Sequence, residues 1–203
     1  LYESKFWNAF SSKIVSLLNE EDLAIVSLAV TVLLNLSYFN HKNVSILFKL
    51  PLVDKLKSLI TSKTAYADCL SLVMNLISIN NNFVDVMVEE SIAELIFKHV
   101  KRNEFNHEEL LIGLEAVYAI LSVPESNKLI DFALDNLEYL AAIIMKICLK
   151  LPFQCVEAIG HVIKSWIVLG EYEMVNEDKQ SNIVLEFIYE SPDLTQALEY
   201  AQQ

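Results

Sequence analysis

The sequence has few of the residues that interrupt regular secondary structure: only three glycines and four prolines occur in 203 residues. β-Rich folds need many turns, and these two residue types supply most of them, so the shortage argues against a β-sheet core. Three glycines can hardly build a phosphate-binding loop, and no GxxxxGK, GxGxxG or GxSxG motif occurs. The apolar fraction of 54% therefore favours an all-α fold with a substantial core.

Basic residues and long apolar runs are also scarce. Fifteen Lys and Arg face 27 Asp and Glu, which gives a net charge of -12. This charge repels phosphate backbones, so we expect no direct contact with nucleic acid. The longest apolar stretches, residues 110–123 and 137–151, contain charges and are shorter than the roughly 20 residues that cross a bilayer. We expect no membrane segment and, from residues 1–10, no secretory signal. Because the chain begins with Leu1, we expect it to be an excerpt of a longer one.

Cysteine and histidine do not form a recognisable site. Cys69, Cys148 and Cys155 are an odd number without CxxC spacing, and each lies in an apolar helical pattern. We interpret them as reduced core residues of an intracellular protein. The four histidines lack the i,i+4 or paired-cysteine spacing of a metal site. The sequence therefore predicts no metal and no other cofactor.

Candidate catalytic pairs are equally weak. Cys155 and His161 lie six residues apart in one helical segment, about 600° around the axis, which places them on different faces. Acidic pairs such as Glu89-Glu90 fall at helix ends, where solvated carboxylates stabilise the helix dipole. We therefore predict that the protein is not an enzyme.

Helices of different lengths follow one another in a repeated order: a long apolar helix, a polar break, a short helix and a medium amphipathic helix. The first unit has helices at 22–38, 44–50 and 52–61, the last opened by Pro51. The second has helices at 65–79, 83–88 and 92–100, and the third at 108–122, 128–134 and 137–149. A fourth long helix is predicted at 153–169. A polar loop at 171–182 and closing helices near 183–190 and 193–201 follow, and residues 6–19 form a medium helix of an incomplete repeat.

Equivalent positions of the long helices are regularly spaced. Asn35, Asn75, Ala119 and His161 lie 40, 44 and 42 residues apart. Repeats of this length, each of three helices, indicate a solenoid whose concave surface is the default binding site. We predict one domain, residues 1–203, with an incomplete repeat at 1–20 and repeats near 22–61, 65–101, 108–150 and 153–203.

This order resembles the armadillo repeat, most clearly in VLLNLSYFNHKNVSILFKLPLVDKLKSLI at 32–60 and LVMNLISINNNFVDVMVEESIAELIFKHV at 72–100. The resemblance implies an armadillo-like right-handed superhelical solenoid of about four three-helix repeats. Armadillo importins hold basic signals with a Trp one helical turn before the conserved Asn. The positions that match this Trp are Thr31, Ser71, Glu115 and Glu157, so an importin-like Trp ladder is missing.

A narrower likeness concerns VSLAVTVLLNLSYF at 26–39 and LISINNNFVDVMV at 76–88. These strings are similar to segments of the C-terminal armadillo-like domain of the ARID-containing subunit of SWI/SNF chromatin remodellers. In that family the domain packs other subunits together, while DNA contact and ATP hydrolysis reside elsewhere. The resemblance implies a nuclear structural subunit whose partners are other proteins of a multiprotein complex. The alternative is a cytoplasmic armadillo adaptor that holds an extended peptide or a chaperone in its groove.

Six residues are candidates for partner binding, by position or by side-chain chemistry: Trp7, Asn35, Asn75, Glu115, Glu157 and His161. For Asn35 and Asn75 two interpretations stay open, since an Asn amide can bond the backbone of a bound peptide or tie down the turn that follows it. The two glutamates can attract a basic partner.

The histidine and the aromatic residues have more specific expectations. We expect His161 to face the groove as a satisfied polar residue. Trp7 and Phe10 are expected to dock on the rest of the longer parent chain or on a partner. The remaining aromatics are expected to serve mainly in packing: Tyr38, Phe39, Tyr66, Tyr118 and Trp166.

Overall fold

The computed structural model describes residues 2–39, 47, 51–102, 106–177 and 179–200, and in that part of the chain it contains α-helices and no strand. The prediction of an all-α protein is confirmed. Twelve helices lie within these ranges: α1 (Tyr2–Leu17), α2 (Leu23–Phe39), α3 (Leu52–Ser62), α4 (Tyr66–Ile79), α5 (Phe83–Glu89), α6 (Ile92–Lys101), α7 (His107–Leu121), α8 (Asn127–Asp135), α9 (Leu137–Met145), α10 (Phe153–Asn176), α11 (Ile183–Glu190) and α12 (Pro192–Tyr200).

Most helix boundaries agree with the sequence pattern to within a few residues. A short 3₁₀ helix, Lys146–Cys148, continues α9 to nearly the predicted end. The predicted short helix at 44–50 falls outside the described residues except for Leu47, which is helical and buried. No described helix is long and apolar enough to cross a membrane.

Polar side chains set where several helices begin. Asp22 Oδ1 accepts a hydrogen bond from the backbone N–H of Ala24 at 2.8 Å, just before α2. Asn106 Oδ1 accepts from Glu109 N at 2.8 Å and so caps α7. Because the first N–H groups of a helix have no partner within it, such caps fix the starting residue.

The chain divides into two compact units, Leu1–Leu95 and Ile96–Gln203. In the first unit α2 lies against α1 and α4, and α4 also contacts α3 and α5. Helix α2 buries Val26, Val30 and Leu33 completely or almost completely. The core of this unit is therefore formed by the long apolar helices, as their composition predicts.

Aromatic rings form the core of the second unit. Phe97 of α6 lies edge-on to Phe132 of α8 and to Trp166 of α10, with ring centroids 5.4 and 5.5 Å apart. Trp166 is 0% exposed and donates its Nε1–H to the Ala133 carbonyl oxygen at 3.1 Å. This hydrogen bond satisfies the only polar group of the indole, which allows it to be fully buried.

The predicted loop at 171–182 is wrong over its first half, because α10 continues to Asn176. The acidic composition of this segment suggested a loop, but Glu171 occupies an exposed helical position while Glu173 and Met174 are half-buried. Glu173 also pairs with Lys179 beyond the helix end. A helix with one solvated face explains the same composition without a loop.

Gly170 directly follows the predicted end of the fourth long helix at residue 169, but the structure places it inside α10. Asn182 packs directly on it and donates Nδ2–H to the Ile167 carbonyl oxygen at 2.9 Å. The Oδ1 atom of Asn182 accepts from the N–H of Val184, and so caps α11. Glycine is thus used within the helix to allow a close approach by the next one.

Candidate functional site

The groove between α7 and α10 brings three of the six predicted partner-binding residues together. The two helices lie side by side in the second unit. Their exposed edges enclose a groove of about 390 Å³. We call it the α7–α10 groove, and it is lined by Leu111, Glu115, Tyr118, Gln154, Glu157, Ala158 and His161.

Two aromatic residues that line the α7–α10 groove contact each other, one from each helix. The Tyr118 and His161 rings have centroids 5.3 Å apart and are inclined by 40°. Tyr118 is 41% exposed. Tyr118 was expected to pack in the core or between repeats; it contacts His161 of the next repeat, but much of its side chain remains open to solvent.

Two carboxylates stand beside these rings. Glu115 precedes Tyr118 by three residues on α7, and Glu157 precedes His161 by four residues on α10, which places each pair on one helix face. Both glutamates are exposed, and among the described residues neither forms an ion pair or hydrogen bond. The groove consequently has two negative charges that no described residue neutralises.

Cys155 of α10 is next in sequence to the groove-lining residue Gln154, and it is buried. Its Sγ–H donates to the His107 carbonyl oxygen at 3.6 Å. Burial raises the pKa of the Cys155 thiol, so the nucleophilic thiolate is disfavoured. Cys155 is buried whereas His161 is exposed, as their six-residue separation predicts.

In the first unit, polar residues of the long helices α2 and α4 are hydrogen-bonded to each other, unlike the carboxylates of the α7–α10 groove. Thr31 Oγ1 donates to Asp68 Oδ2 at 2.5 Å, and Asn75 Nδ2 donates to Ser37 Oγ at 2.9 Å. Both hydrogen bonds join α2 to α4. The Asn75 amide thus has a structural partner in the neighbouring helix.

Asn35 differs from Asn75 in being exposed, and it forms no hydrogen bond to the described residues. The turn that it was expected to tie down, residues 40–43, lies outside the described residues. Partner binding by Asn35 and Asn75 stays a prediction.

An aromatic cluster lies on α1. The Trp7 ring is 5.5 Å from Phe6 and 5.9 Å from Phe10, measured between centroids. Phe6 is 62% exposed, whereas Trp7 and Phe10 are half-buried. The cluster is partly covered by its own rings, and docking through Trp7 stays a prediction.

Burial corrects two further expectations. Tyr38 is 61% exposed and therefore does not pack in the core, whereas Tyr66 and Trp166 are buried as predicted. The side chain of Phe39 falls outside the described residues. Cys148, expected in the core, is exposed because the 3₁₀ turn after α9 rotates it away from the buried face of that helix.

A second groove, of about 620 Å³, exists because α10 extends beyond Gly170. It is lined by residues of α8 and of the added turns of α10, among them Asp131, Glu173 and Glu177. Lys179 pairs with Glu173 and lies 3.5 Å from Glu177. Glu173 and Glu177 are thus partly neutralised within the chain, unlike the carboxylates of the α7–α10 groove. Among the described residues no group of three His, Cys, Asp or Glu side chains could hold a metal ion.

Comparison with known proteins identifies the fold. No family model matches the sequence, and no curated protein matches it either. Among solved structures, a designed armadillo repeat protein matches with a TM-score of 0.63 and 18% identity, over 94% of this chain and 81% of the other. An engineered protein matches with a TM-score of 0.50 and 16% identity, over 95% of this chain and 94% of the other.

The likeness to the designed armadillo repeat protein shows an armadillo-like repeat fold, which confirms the predicted fold class. At identities below 20% the two likenesses carry no information on ligands. What the α7–α10 groove can bind therefore depends on its own residues.

Proposed function

We propose that this chain is a non-catalytic protein-interaction scaffold. The observation that carries the proposal is the α7–α10 groove, in which an exposed aromatic pair lies beside two carboxylates that have no partner among the described residues. Exposed aromatic rings and carboxylates of this kind recognise side chains of another protein. Armadillo-like repeats suit this role because stacked helices supply a long, preformed surface.

A narrower form of the proposal makes the chain a structural subunit of a SWI/SNF-type chromatin-remodelling complex in the nucleus. Its support is the likeness of residues 26–39 and 76–88 to the armadillo-like domain of the ARID-containing subunit. The net charge of -12 fits a domain that contacts other subunits and leaves DNA to them.

The alternative is a cytoplasmic adaptor that holds an extended peptide or a chaperone. The specific observation in its favour is again the α7–α10 groove, because its course between two long helices suits an extended segment. The two forms of the proposal share the same binding chemistry and differ in compartment and partner.

Affinity purification of the tagged protein from its native cells, followed by quantitative mass spectrometry, tests the proposal. The scaffold role predicts partner proteins in near-stoichiometric amounts that survive washing at physiological salt, about 0.15 M. Remodeller subunits among them support the narrower form, and a chaperone or a single peptide-bearing protein supports the adaptor. Recovery of the protein alone at native abundance contradicts the scaffold role.

A further inference from the structure

The carboxylates of the α7–α10 groove lack an internal partner, and this defines what an occupant must bring. Glu115 and Glu157 are exposed and unpaired among the described residues. A cation does lie nearby, since Lys164 follows His161 by about one helical turn, but it does not line the groove. An occupant with a positive charge is therefore attracted, and one with a negative charge is repelled.

The other lining residues distinguish between the two basic side chains. Leu111, Ala158 and the Tyr118 ring give the groove apolar surface beside its charges. A lysine ammonium is compact and strongly hydrated, and it would have to lose water to these groups. An arginine guanidinium is planar, weakly hydrated, stacks on aromatic faces and has five N–H donors that can reach two carboxylates at once.

We propose that the α7–α10 groove binds an arginine side chain of an extended partner segment, with the guanidinium against Tyr118 and His161 and its N–H groups directed to Glu115 and Glu157. This assignment rests on the proposed scaffold function and names the chemistry of the partner. The aromatic pair positions the guanidinium plane, and the two carboxylates determine the charge. A groove of about 390 Å³ accommodates one long side chain and the adjoining backbone.

The test is a titration of the ¹⁵N-labelled chain, followed by NMR, with three capped tripeptides: acetyl-Gly-Arg-Gly-amide, the lysine analogue and the neutral citrulline analogue. The arginine peptide is expected to shift the amide signals of residues 111–118 and 154–161. The lysine peptide should bind at least about threefold more weakly because it cannot stack. The citrulline peptide should cause no shift there.

Variants assign the binding energy to particular side chains. The double variant Glu115→Gln/Glu157→Gln is expected to weaken arginine binding about tenfold, by the sum of two exposed ion pairs. Tyr118→Ala should weaken it about threefold, and Tyr118→Phe should restore it because the ring is retained. All of these positions are exposed, so circular dichroism should show an unchanged fold.

A matched control separates a groove from general attraction to an acidic protein. Glu138→Gln/Glu171→Gln removes the same two charges from exposed positions outside the groove and should leave binding unchanged. Equal weakening by both double variants, shifts spread over the acidic surface, or equal affinity for the lysine peptide would each overturn the assignment.

Failure here can be distinguished from failure of the scaffold function. If the Glu115→Gln/Glu157→Gln protein still retains its full partner set in the purification, the scaffold role stands and the arginine assignment falls. If the partners are lost only in this variant and not in the Glu138→Gln/Glu171→Gln control, both stand.

Discussion

Replacing Gly170 with alanine is expected to destabilise the protein, although alanine is the better helix former. An added Cβ would lie 2.3 Å from Asn182 Oδ1 and 2.9 Å from both Asn182 Cγ and Val184 Cγ2. Asn182 cannot move aside without cost, because it is only 7% exposed. Its Oδ1 accepts from Val184 N at 2.9 Å and Leu185 N at 3.3 Å, and its Nδ2 donates to Ile167.

The magnitude follows from these contacts. Loss of the cap costs about 1 kcal/mol, loss of the buried hydrogen bond about another 1 kcal/mol, and crowding about 1 kcal/mol. The higher helix propensity of alanine returns about 1 kcal/mol. Gly170→Ala should therefore lower the free energy of unfolding by about 2 kcal/mol, measured by urea denaturation with circular dichroism at 222 nm.

Gly160 supplies the matched control, since it lies in the same helix and a Cβ added there would meet no atom within 4 Å. Gly160→Ala should raise the free energy of unfolding by up to about 1 kcal/mol. In an Asn182→Ala background, Gly170→Ala should cost less than in the wild type, because the contact that it breaks is already absent. Equal stability of Gly160→Ala and Gly170→Ala would refute the reasoning.

Three further predictions concern single side chains. In the folded protein one thiol, that of the exposed Cys148, should react with a thiol reagent at pH 8. The other two are protected because burial raises the pKa of Cys155, and burial together with Asp68 raises the pKa of Cys69 to about 12. Labelling that persists in Cys148→Ser without denaturant would contradict this. Trp166→Phe should lower the free energy of unfolding by about 2 kcal/mol, because it loses a hydrogen bond and leaves a cavity. Trp7→Phe should change it by less than about 0.5 kcal/mol. Equal effects of the two variants in urea denaturation would disprove this difference. Burial also lowers the pKa of Lys146 below 10.5, so the folded state disfavours its ammonium form. The free energy of unfolding of the wild type, relative to that of Lys146→Met, should therefore increase as pH rises from 8 to 10. A pH-independent difference would argue against this.

The fold could be predicted from the sequence because its main signal is redundant. Long apolar helices recur with Asn35, Asn75, Ala119 and His161 at equivalent positions, so an error in one repeat leaves the others intact. The end of α10 could not be predicted, because the reason for Gly170 lies in a tertiary contact with Asn182, twelve residues later. Local composition cannot distinguish a helix-ending glycine from one that receives a neighbour.

The candidate site was only partly predictable for a related reason. Glu115, Glu157 and His161 followed from their places in the repeat, and the structure brings them together. Tyr118 was missed because an aromatic residue at helical spacing is usually buried, and only its 41% exposure beside His161 shows otherwise. Its position three residues after Glu115 was the available signal, since this separation places a charged and an aromatic side chain on one face.

The aromatic core of the second unit has a consequence for synthesis on the ribosome. Phe97 leaves the exit tunnel roughly 70 residues before Trp166, which corresponds to about 4–14 s at ordinary translation rates. During this interval Phe97 lacks the indole that lies edge-on to it in the finished protein. The nascent chain therefore exposes apolar aromatic surface for seconds. Slow codons between these positions would lengthen its dependence on a holdase chaperone.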